Sequence, residues 1–591
     1  MENGVNKISD IFSNCFFEIP IYQRSYSWGT DDPSNGQCAA YLSDLREHPG
    51  GDRSYFLGAV LLRSLDRNDG AYFAIVDGQQ RFTTTVLFAA SAVEVLSKYT
   101  KHAKLVRLLS KTFITCPASK KRKLTTVISD DAVFSAIINM PPSFPASTQT
   151  PSGQRLISAR KFFTNKLEEI PEQELINIVN RLLSAQVLIY AVSDDAAATQ
   201  IFELANDRGK RLSQLESLKS VLMHRLYLDS SSTSQANHDL AIVQNHFAGI
   251  FRTVEKLENI FQAPDEDAVL STHCIAYLKW TSESWDTARI MAKSEIVKIS
   301  KSPDKVKWIL DFSESLEQTY HAVFNILTNG RNSKPIECLT VLGLWQGLWP
   351  LLVKTWRADN SADKINFYKI ADLLERWAFL RTLGGRRSNY KVGSLEILAR
   401  DFSGDFSALA DALTYFINGI AGNDEFEENL RYSDFYNWEK NLARYILWRY
   451  ENYLRAQPAN QWSSLSWIDV RTPANSAVQY GLDHISPQDS PKNELLVAIP
   501  GDNKTGKKKF GEMYLHRLGN LVLDSRSAGA AKGNSDMSDR IYNYGKSPLL
   551  SQKELINFST KKSNGKPDWG IKSIHKREDI LVNFCKTTWK I

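Results

Sequence analysis

Residues 71–85 read AYFAIVDGQQRFTTT. A short apolar run, rich in aromatic and β-branched residues, ends at Asp77-Gly78, and an apolar stretch of helical length (FTTTVLFAASAVEVLSKY) starts at Phe82. The order is strand, glycine turn, helix. Upstream, Tyr55 to Ser64 (YFLGAVLLRS) is a second apolar run, and Asp66-Arg67-Asn68-Asp69-Gly70 between the two is turn chemistry. The two runs are expected to form a hairpin. A strand–glycine–helix corner presents backbone N–H groups with the positive end of the helix dipole behind them. Gly78 permits close backbone approach, Arg81 can grip two phosphate oxygens, and Thr83 and Thr84 offer hydroxyls. Asp77 can hold a divalent cation or orient Arg81. A hydrogen-bonded turn with a purely structural role fits the same residues. The corner is not a Walker A loop, because GxxxxGK[ST] occurs nowhere in the chain.

Outward from this corner the chain changes character twice. Pro141 to Gly153 reads as a loop, and Arg181 to Val192 (RLLSAQVLIYAV) ends in a strand. After the Ser230–Ser234 loop come long amphipathic stretches, Ala241 to Phe261, Lys305 to Leu327 and Ile365 to Leu383. Trp345, Trp349 and Trp356 recur at helical spacing and read as a core stripe. Gly384-Gly385-Arg386-Arg387 reads either as a helix end or as a phosphate-touching loop. Asn441 to Arg455 is a further helix, after which shorter strands, turns and lysines take over. These shifts predict three domains: 1–225, a helical connector over 226–455, and 456–591.

At 591 residues the chain is too long for one core. Its 43% hydrophobic and 23% charged residues describe a globular protein. It has no apolar run of membrane-spanning length, so no membrane span is expected, and Met1 to Asp10 has neither the basic start nor the apolar stretch of a signal peptide. Cys15, Cys38, Cys116, Cys274, Cys338 and Cys585 are widely spaced, which suggests free thiols rather than a zinc ribbon or disulfide framework. Residues 501–591 hold 18 Lys and Arg against 9 Asp and Glu, whereas the other 500 residues hold 54 against 57. A basic C-terminal end attracts a polyanion.

Two more N-terminal segments accompany the corner: Ile19 to Trp28 (IPIYQRSYSW), and Phe202 to Leu212 (FELANDRGKRL) running on to Glu216 and Lys219. Together with VDGQQRFTTT they resemble the ParB/sulfiredoxin-like domain of GmrSD-type modification-dependent (type IV) restriction enzymes. The resemblance implies an α/β domain that binds and hydrolyses a nucleotide triphosphate, with GTP as the family expectation. It implies that Gln23, Arg24, Asp77, Gly78, Gln79, Gln80, Arg81, Asn206 and Arg208 line the pocket. Glu216 either serves the pocket or pairs with Lys219 along a helix. Tyr22, Tyr26 and Trp28 either pack beneath the motif or touch a modified DNA group.

The C-terminal part holds Asp483-His484-Ile485-Ser486-Pro487-Gln488, then His516-Arg517-Leu518-Gly519-Asn520-Leu521, then Lys532-Gly533-Asn534. A ββα-metal nuclease needs a carboxylate at a strand end for Mg²⁺ or Mn²⁺ and an adjacent histidine as general base. It also needs an asparagine to orient that histidine, and an Asn or His on the next helix as a last ligand. An anionic phosphodiester repels hydroxide, so a metal must offset charge, while a neutral imidazole takes the proton from water. The two strings resemble the HNH domain at the C-terminus of GmrSD-type proteins. The resemblance assigns Asp483 as metal ligand, His484 as base and Asn520 as orienting residue. Where the family shows an earlier asparagine, Ala528 or Gly529 stands here, leaving Asn534 as the last metal ligand. His516 reads as supporting or phosphate-facing, and Lys504, Lys507, Lys508 and Lys509 form a basic loop between the two halves of the motif.

The expected architecture is therefore a mostly helical, multidomain α+β protein: a ParB-like domain, a helical middle and an HNH domain. The resemblance implies a nucleotide-dependent endonuclease that cuts modified phage DNA in bacterial defence, and hence a cytoplasmic location, with no membrane partner expected and with homo-oligomerisation left open. Two alternatives are a non-cleaving, nucleotide-switched DNA-binding regulator and a toxin-like nuclease.

Overall fold

The computed structural model describes residues 3–30, 36–48, 54–67, 70–145, 148, 150–192, 213–260, 262–278, 287–329, 333–343, 346–387, 389–420, 423–470, 480–498, 507–525, 536–563 and 565–589. The chain is a mostly helical α+β protein. Packing divides it into two compact units, Met1–Asn325 and Ile326–Ile591, so the helices between 226 and 455 are shared between the units.

The first unit is built on strands β1 (Gly4–Lys7), β2 (Cys15–Glu18), β3 (Phe56–Leu65), β4 (Ala71–Asp77), β5 (Leu124–Thr125) and β6 (Gln186–Val192). They form one mixed sheet in the order β1-β6-β3-β4-β2-β5. β3 and β4 pair antiparallel, Leu65 opposite Tyr72 and Leu61 opposite Asp77, so the expected hairpin forms. β3 runs parallel to β6, and β2 runs parallel to both β4 and β5.

Helix α1 (Gln79–Leu96) leaves β4 through Gly78, whose φ is +94°. A Cβ there would lie 2.7 Å from Val60 Cγ2, so both the backbone angle and the close approach require glycine. Every residue of α1 from Phe82 to Val93 is buried, which explains why its sequence shows no one-sided stripe. Its buried threonines are satisfied locally: Thr83 Oγ1 donates to Gln79 O and Thr85 Oγ1 to Arg81 O, both at 2.8 Å.

Around α1 lie α2 (Ile128–Ile138), α3 (Pro151–Glu169), α4 (Gln214–Asp229), α5 (Thr233–Glu258) and α6 (Glu266–Tyr277). The loop expected up to Gly153 stops earlier. Thr150 caps α3 by accepting from the Gly153 N–H at 3.2 Å, and Pro151 takes the first helical position, where its missing donor costs nothing.

In the second unit the expected helices appear as α7 (Ile365–Leu383) and α8 (Lys440–Arg455). Trp349 is buried and Trp356 packs edge-on against Phe367 at 5.0 Å, as core residues do; Trp345 lies outside the described residues. Gly385, with φ +61°, closes α7, and Arg386 pairs with Glu425 at 2.8 Å.

The remainder contains β7 (Tyr480–His484), β8 (Leu496–Ala498), β9 (Lys507–Lys509), β10 (Leu521–Ser525), α9 (Met537–Gly545) and α10 (Ile571–Trp589). β7 and β10 pair antiparallel, with His484 opposite Leu521 and Asp483 opposite Val522. Ile485, Phe510, Tyr514, Val522, Tyr544 and Trp569 belong to the small core beneath them. Among the described residues no helix is long and apolar enough to cross a membrane.

Candidate active site

At the β4–α1 corner, three glutamines stitch the Tyr22–Ser27 segment in place. Gln23 Nε2 donates to Val76 O at 2.7 Å, Gln79 Nε2 to Arg24 O at 3.1 Å and Gln80 Nε2 to Ser25 O at 3.2 Å. Gln80 Oε1 also accepts from the Ser27 N–H at 3.0 Å. The structure thus gathers Gln23, Arg24, Asp77, Gly78, Gln79, Gln80 and Arg81 around one turn. Asn206 and Arg208 lie outside the described residues.

Arg81 lies across Gly58 and donates from Nη1 to Ala59 O, so its guanidinium is turned onto the backbone of β3. Arg24 pairs with Glu266 at 3.4 Å. Burial pushes the Asp77 carboxyl up from its ordinary range, with Arg81 and the Gly78 N–H opposing.

Tyr22 and Tyr26 are buried, and the Tyr26 hydroxyl meets Thr84 Oγ1 at 2.9 Å, so these aromatic residues pack beneath the motif. Trp28 packs against the same core. The Tyr26 N–H donates to Asp130 Oδ2 at 3.1 Å, and Ser152 Oγ donates to the other oxygen of Asp130. Glu216 accepts from the Ser213 N–H at 3.2 Å and closes a capping box on α4. Lys219 points inward from the same helix; its Nζ donates to Tyr22 O at 3.1 Å and Gln23 Oε1 at 3.4 Å. Burial pushes this lysine down to about 8, partly offset by Glu216.

Sequence reasoning missed Lys219 as a tether and Asp130 altogether. Their partners lie far away in the chain, and spacing carries no signal for them. A cavity of about 10 Å³, room for no more than one water, lies among Arg24, Gln79, Gln80, Thr83 and Asp130. A larger one of about 260 Å³ opens on the other side of Arg24, beside Glu258 and Glu266.

In the second unit, β7 brings Asp483 and His484 to a strand end. Asp483 Oδ1 accepts from the His484 N–H at 2.8 Å, and its Oδ2 faces Arg540 Nη2 of α9 at 3.6 Å. The same Arg540 nitrogen donates to His484 O at 2.9 Å. The His484 ring is buried; its Nε2 lies 3.1 Å from His516 Nδ1, and the Tyr436 ring packs on both histidines. Burial above all, then His516, Lys440 and Arg540, pushes His484 down to about 3, so the ring is neutral near pH 7.

Asn520 acts on the turn rather than on the ring. Its Oδ1 accepts from the Ser486 N–H at 3.0 Å and from Trp569 Nε1–H at 3.1 Å, and its Nδ2 donates to Leu515 O at 2.8 Å. The ring's own partner is His516, a residue that sequence reasoning read as supporting or phosphate-facing.

Helix α10 seats this turn. A Cβ on Gly519 would lie 2.3 Å from Ile574 O, so only glycine permits the approach. Arg577 Nη1 donates to Gly519 O at 3.1 Å and Leu521 O at 2.5 Å, and Arg517 pairs with Glu578 at 2.6 Å.

Among the described residues no group of three or more His, Cys, Asp or Glu side chains gathers as a metal site. Asn534 lies outside them. Asp483 is nonetheless a hard oxygen donor, one-third exposed, at the strand end. Magnesium is commonly held by one or two carboxylates and keeps several waters, so this donor fits it.

Two family models match the chain: GmrSD restriction endonuclease, N-terminal domain, over residues 5–223, and GmrSD restriction endonucleases, C-terminal domain, over residues 420–584. None of the curated proteins compared with the chain matches it. The first match takes in the glutamine-stitched corner and the second the His484 turn. With both domains present in one polypeptide, this chain belongs to the GmrSD restriction endonucleases, enzymes that act on DNA.

Proposed function

We propose that the chain is a nucleotide-dependent HNH-type endonuclease that cuts modified foreign DNA, such as that of phage, in the bacterial cytoplasm. The observation that carries this reading is the convergence at the end of β7. A carboxylate, a neutral imidazole and a second imidazole meet beside Arg540 and Lys440. The strand–strand–helix order of β7, β10 and α9 is the order an HNH domain requires, and it supports the assignment.

In this reading His484 donates its Nε2–H to His516 Nδ1, which leaves the Nδ1 lone pair of His484 to take a proton from water. General-base help of this kind is worth about 10²–10⁴-fold. Arg540 and Lys440 offset the charge of the phosphodiester. Asp483, with Asn534, would hold Mg²⁺ or Mn²⁺, which when bound neutralises charge on the phosphate and the leaving oxygen. The Asp77–Arg81 corner would receive the phosphates of a nucleotide triphosphate, GTP by family expectation, on the N-terminus of α1 with Arg24 beside it. Asn206 and Arg208 belong to the same proposed pocket.

The test incubates plain and modified DNA with the parent chain, Arg81→Ala and His484→Ala, with and without each nucleoside triphosphate. Cleavage by the parent that is lost in His484→Ala, and hydrolysis that is lost in Arg81→Ala, are expected. Cutting by His484→Ala would sink the nuclease site. DNA binding without cleavage in every divalent metal would favour the switched regulator instead.

A further inference from the structure

Between His484 and His516 the chain builds a two-stranded hairpin, β8 with β9, in the register Leu496 opposite Lys509, Val497 opposite Lys508 and Ala498 opposite Lys507. Alternate residues of a strand face opposite sides, and cross-strand partners share a side. Val497 packs on the core, so its side is the inner one. The outer side then carries Leu496, Ala498, Lys507 and Lys509. All four are exposed, Leu496 at 64%, and Leu495 just before the strand is exposed at 58%.

The hairpin is firmly held at its base. Phe510 is buried, and its N–H donates to Leu495 O at 2.8 Å. Asn493 Nδ2 donates to Pro487 O at 3.2 Å and to Gln488 O at 2.5 Å, tying the hairpin to the turn that follows His484. From Phe510 the chain runs through Gly511–Leu515 directly to His516. Among the described residues Lys509 pairs with Glu494 at 2.6 Å, whereas neither Lys507 nor Lys508 meets a carboxylate. The outer side of a ribbon whose feet are the proposed cutting loop therefore carries two lysines, Lys507 and Lys509. The Lys509 ion pair is exposed and worth little, while Lys508 shares the side of Val497.

We propose that the outer side of this hairpin grips the phosphate backbone of duplex DNA through Lys507 and Lys509, and so positions the duplex at His484. Lys507 and Lys509, two residues apart, stand about 7 Å from each other along the strand, close to the spacing of consecutive phosphates. The contact carries no base information, so it strengthens binding evenly across sequences. The inference rests on the nuclease reading of the His484 site.

The test uses the full chain carrying His484→Ala, a plain linear duplex as probe, no divalent metal and a potassium chloride series. Adding Lys507→Ala and Lys509→Ala is expected to weaken binding and to lower the slope of log K against log salt by about 0.9 per lysine. Replacing both by glutamate is expected to weaken binding further, in proportion to charge. Both pairs of substitutions lie on exposed side chains and should leave the melting temperature unchanged. A parent that binds duplex with the same slope as both variants would overturn the hairpin contact alone. A parent that holds no duplex at all would also overturn the hairpin contact, whereas the nuclease reading falls only where the chain with His484 intact leaves plain and modified DNA uncut with every nucleoside triphosphate and divalent metal.

Discussion

His484 and His516 meet ring nitrogen to ring nitrogen, Nε2 to Nδ1 at 3.1 Å, from opposite ends of the loop that joins β7 to β10. Only one proton can lie between them. Whichever ring donates it fixes whether the other nitrogen of His484, Nδ1, carries a lone pair that can take a proton from water or a hydrogen that cannot.

His516→Ala is therefore expected to cut DNA about 10–100-fold more slowly at saturating substrate, by analogy with removal of the partner that orients a metal-bound imidazole. His516→Gln, which keeps an acceptor oxygen, is expected to recover part of the loss. Single-turnover cleavage measures both. Parent-like rates in His516→Ala would show that the ring contact has no part in catalysis.

Asn520→Ala acts through folding first. It strands the Ser486 N–H, the Trp569 indole N–H and the Leu515 carbonyl in a buried place. Each unsatisfied group costs about 1–3 kcal/mol. Thermal melting of the second unit is expected to fall by several degrees, with cleavage lost alongside. An unchanged melt would contradict the turn-bracing role.

Gly78→Ala is expected to destabilise the first unit by about 1–3 kcal/mol, since it combines a positive φ with overpacking against Val60. A second change, Val60→Ala, should relieve the steric part and leave the backbone part. Chemical denaturation of the single and double variants separates the two. Full recovery in the double variant would mean that the backbone angle costs nothing.

Asp130 gives the pH prediction. Burial raises its carboxyl to about 6, with Glu255 on α5 adding and Ser152, the Tyr26 N–H and Arg155 opposing. Because the folded value lies above the unfolded one, its contribution is fully present below about 4 and is lost as pH rises through about 6. The stability of the parent relative to Asp130→Asn is thus expected to fall by roughly 2–3 kcal/mol between pH 4 and pH 7. A pH-independent difference between the two would show that the buried carboxyl ionises without penalty.

The β3–β4 hairpin, the glycine corner and the Asp483-His484 strand end were legible because each is written in a few consecutive residues. The helix that opens after Arg81 was legible too, from the length and apolar character of the stretch from Phe82, while its burial on every side is a finding of the structure. The contacts of Lys219, Asp130 and Arg540 were not. Each joins a helix to a segment distant in the chain, and only packing decides which long side chain turns inward. Arg81 shows the same limit. Its residue type suits phosphate, while its neighbour in space is the carbonyl of Ala59. The start of α3 at Pro151 was hidden inside a composition that reads as loop, because proline signals a turn and a first helical position alike.

Helix α10 holds Gly519 and Leu521 from behind through Arg577, and Arg517 through Glu578. A premature stop just before Ile571 would leave every proposed cutting group encoded, yet remove the cradle on which they rest. Damage to the codons for Ile571–Trp589 should thus silence the enzyme as surely as loss of His484 itself.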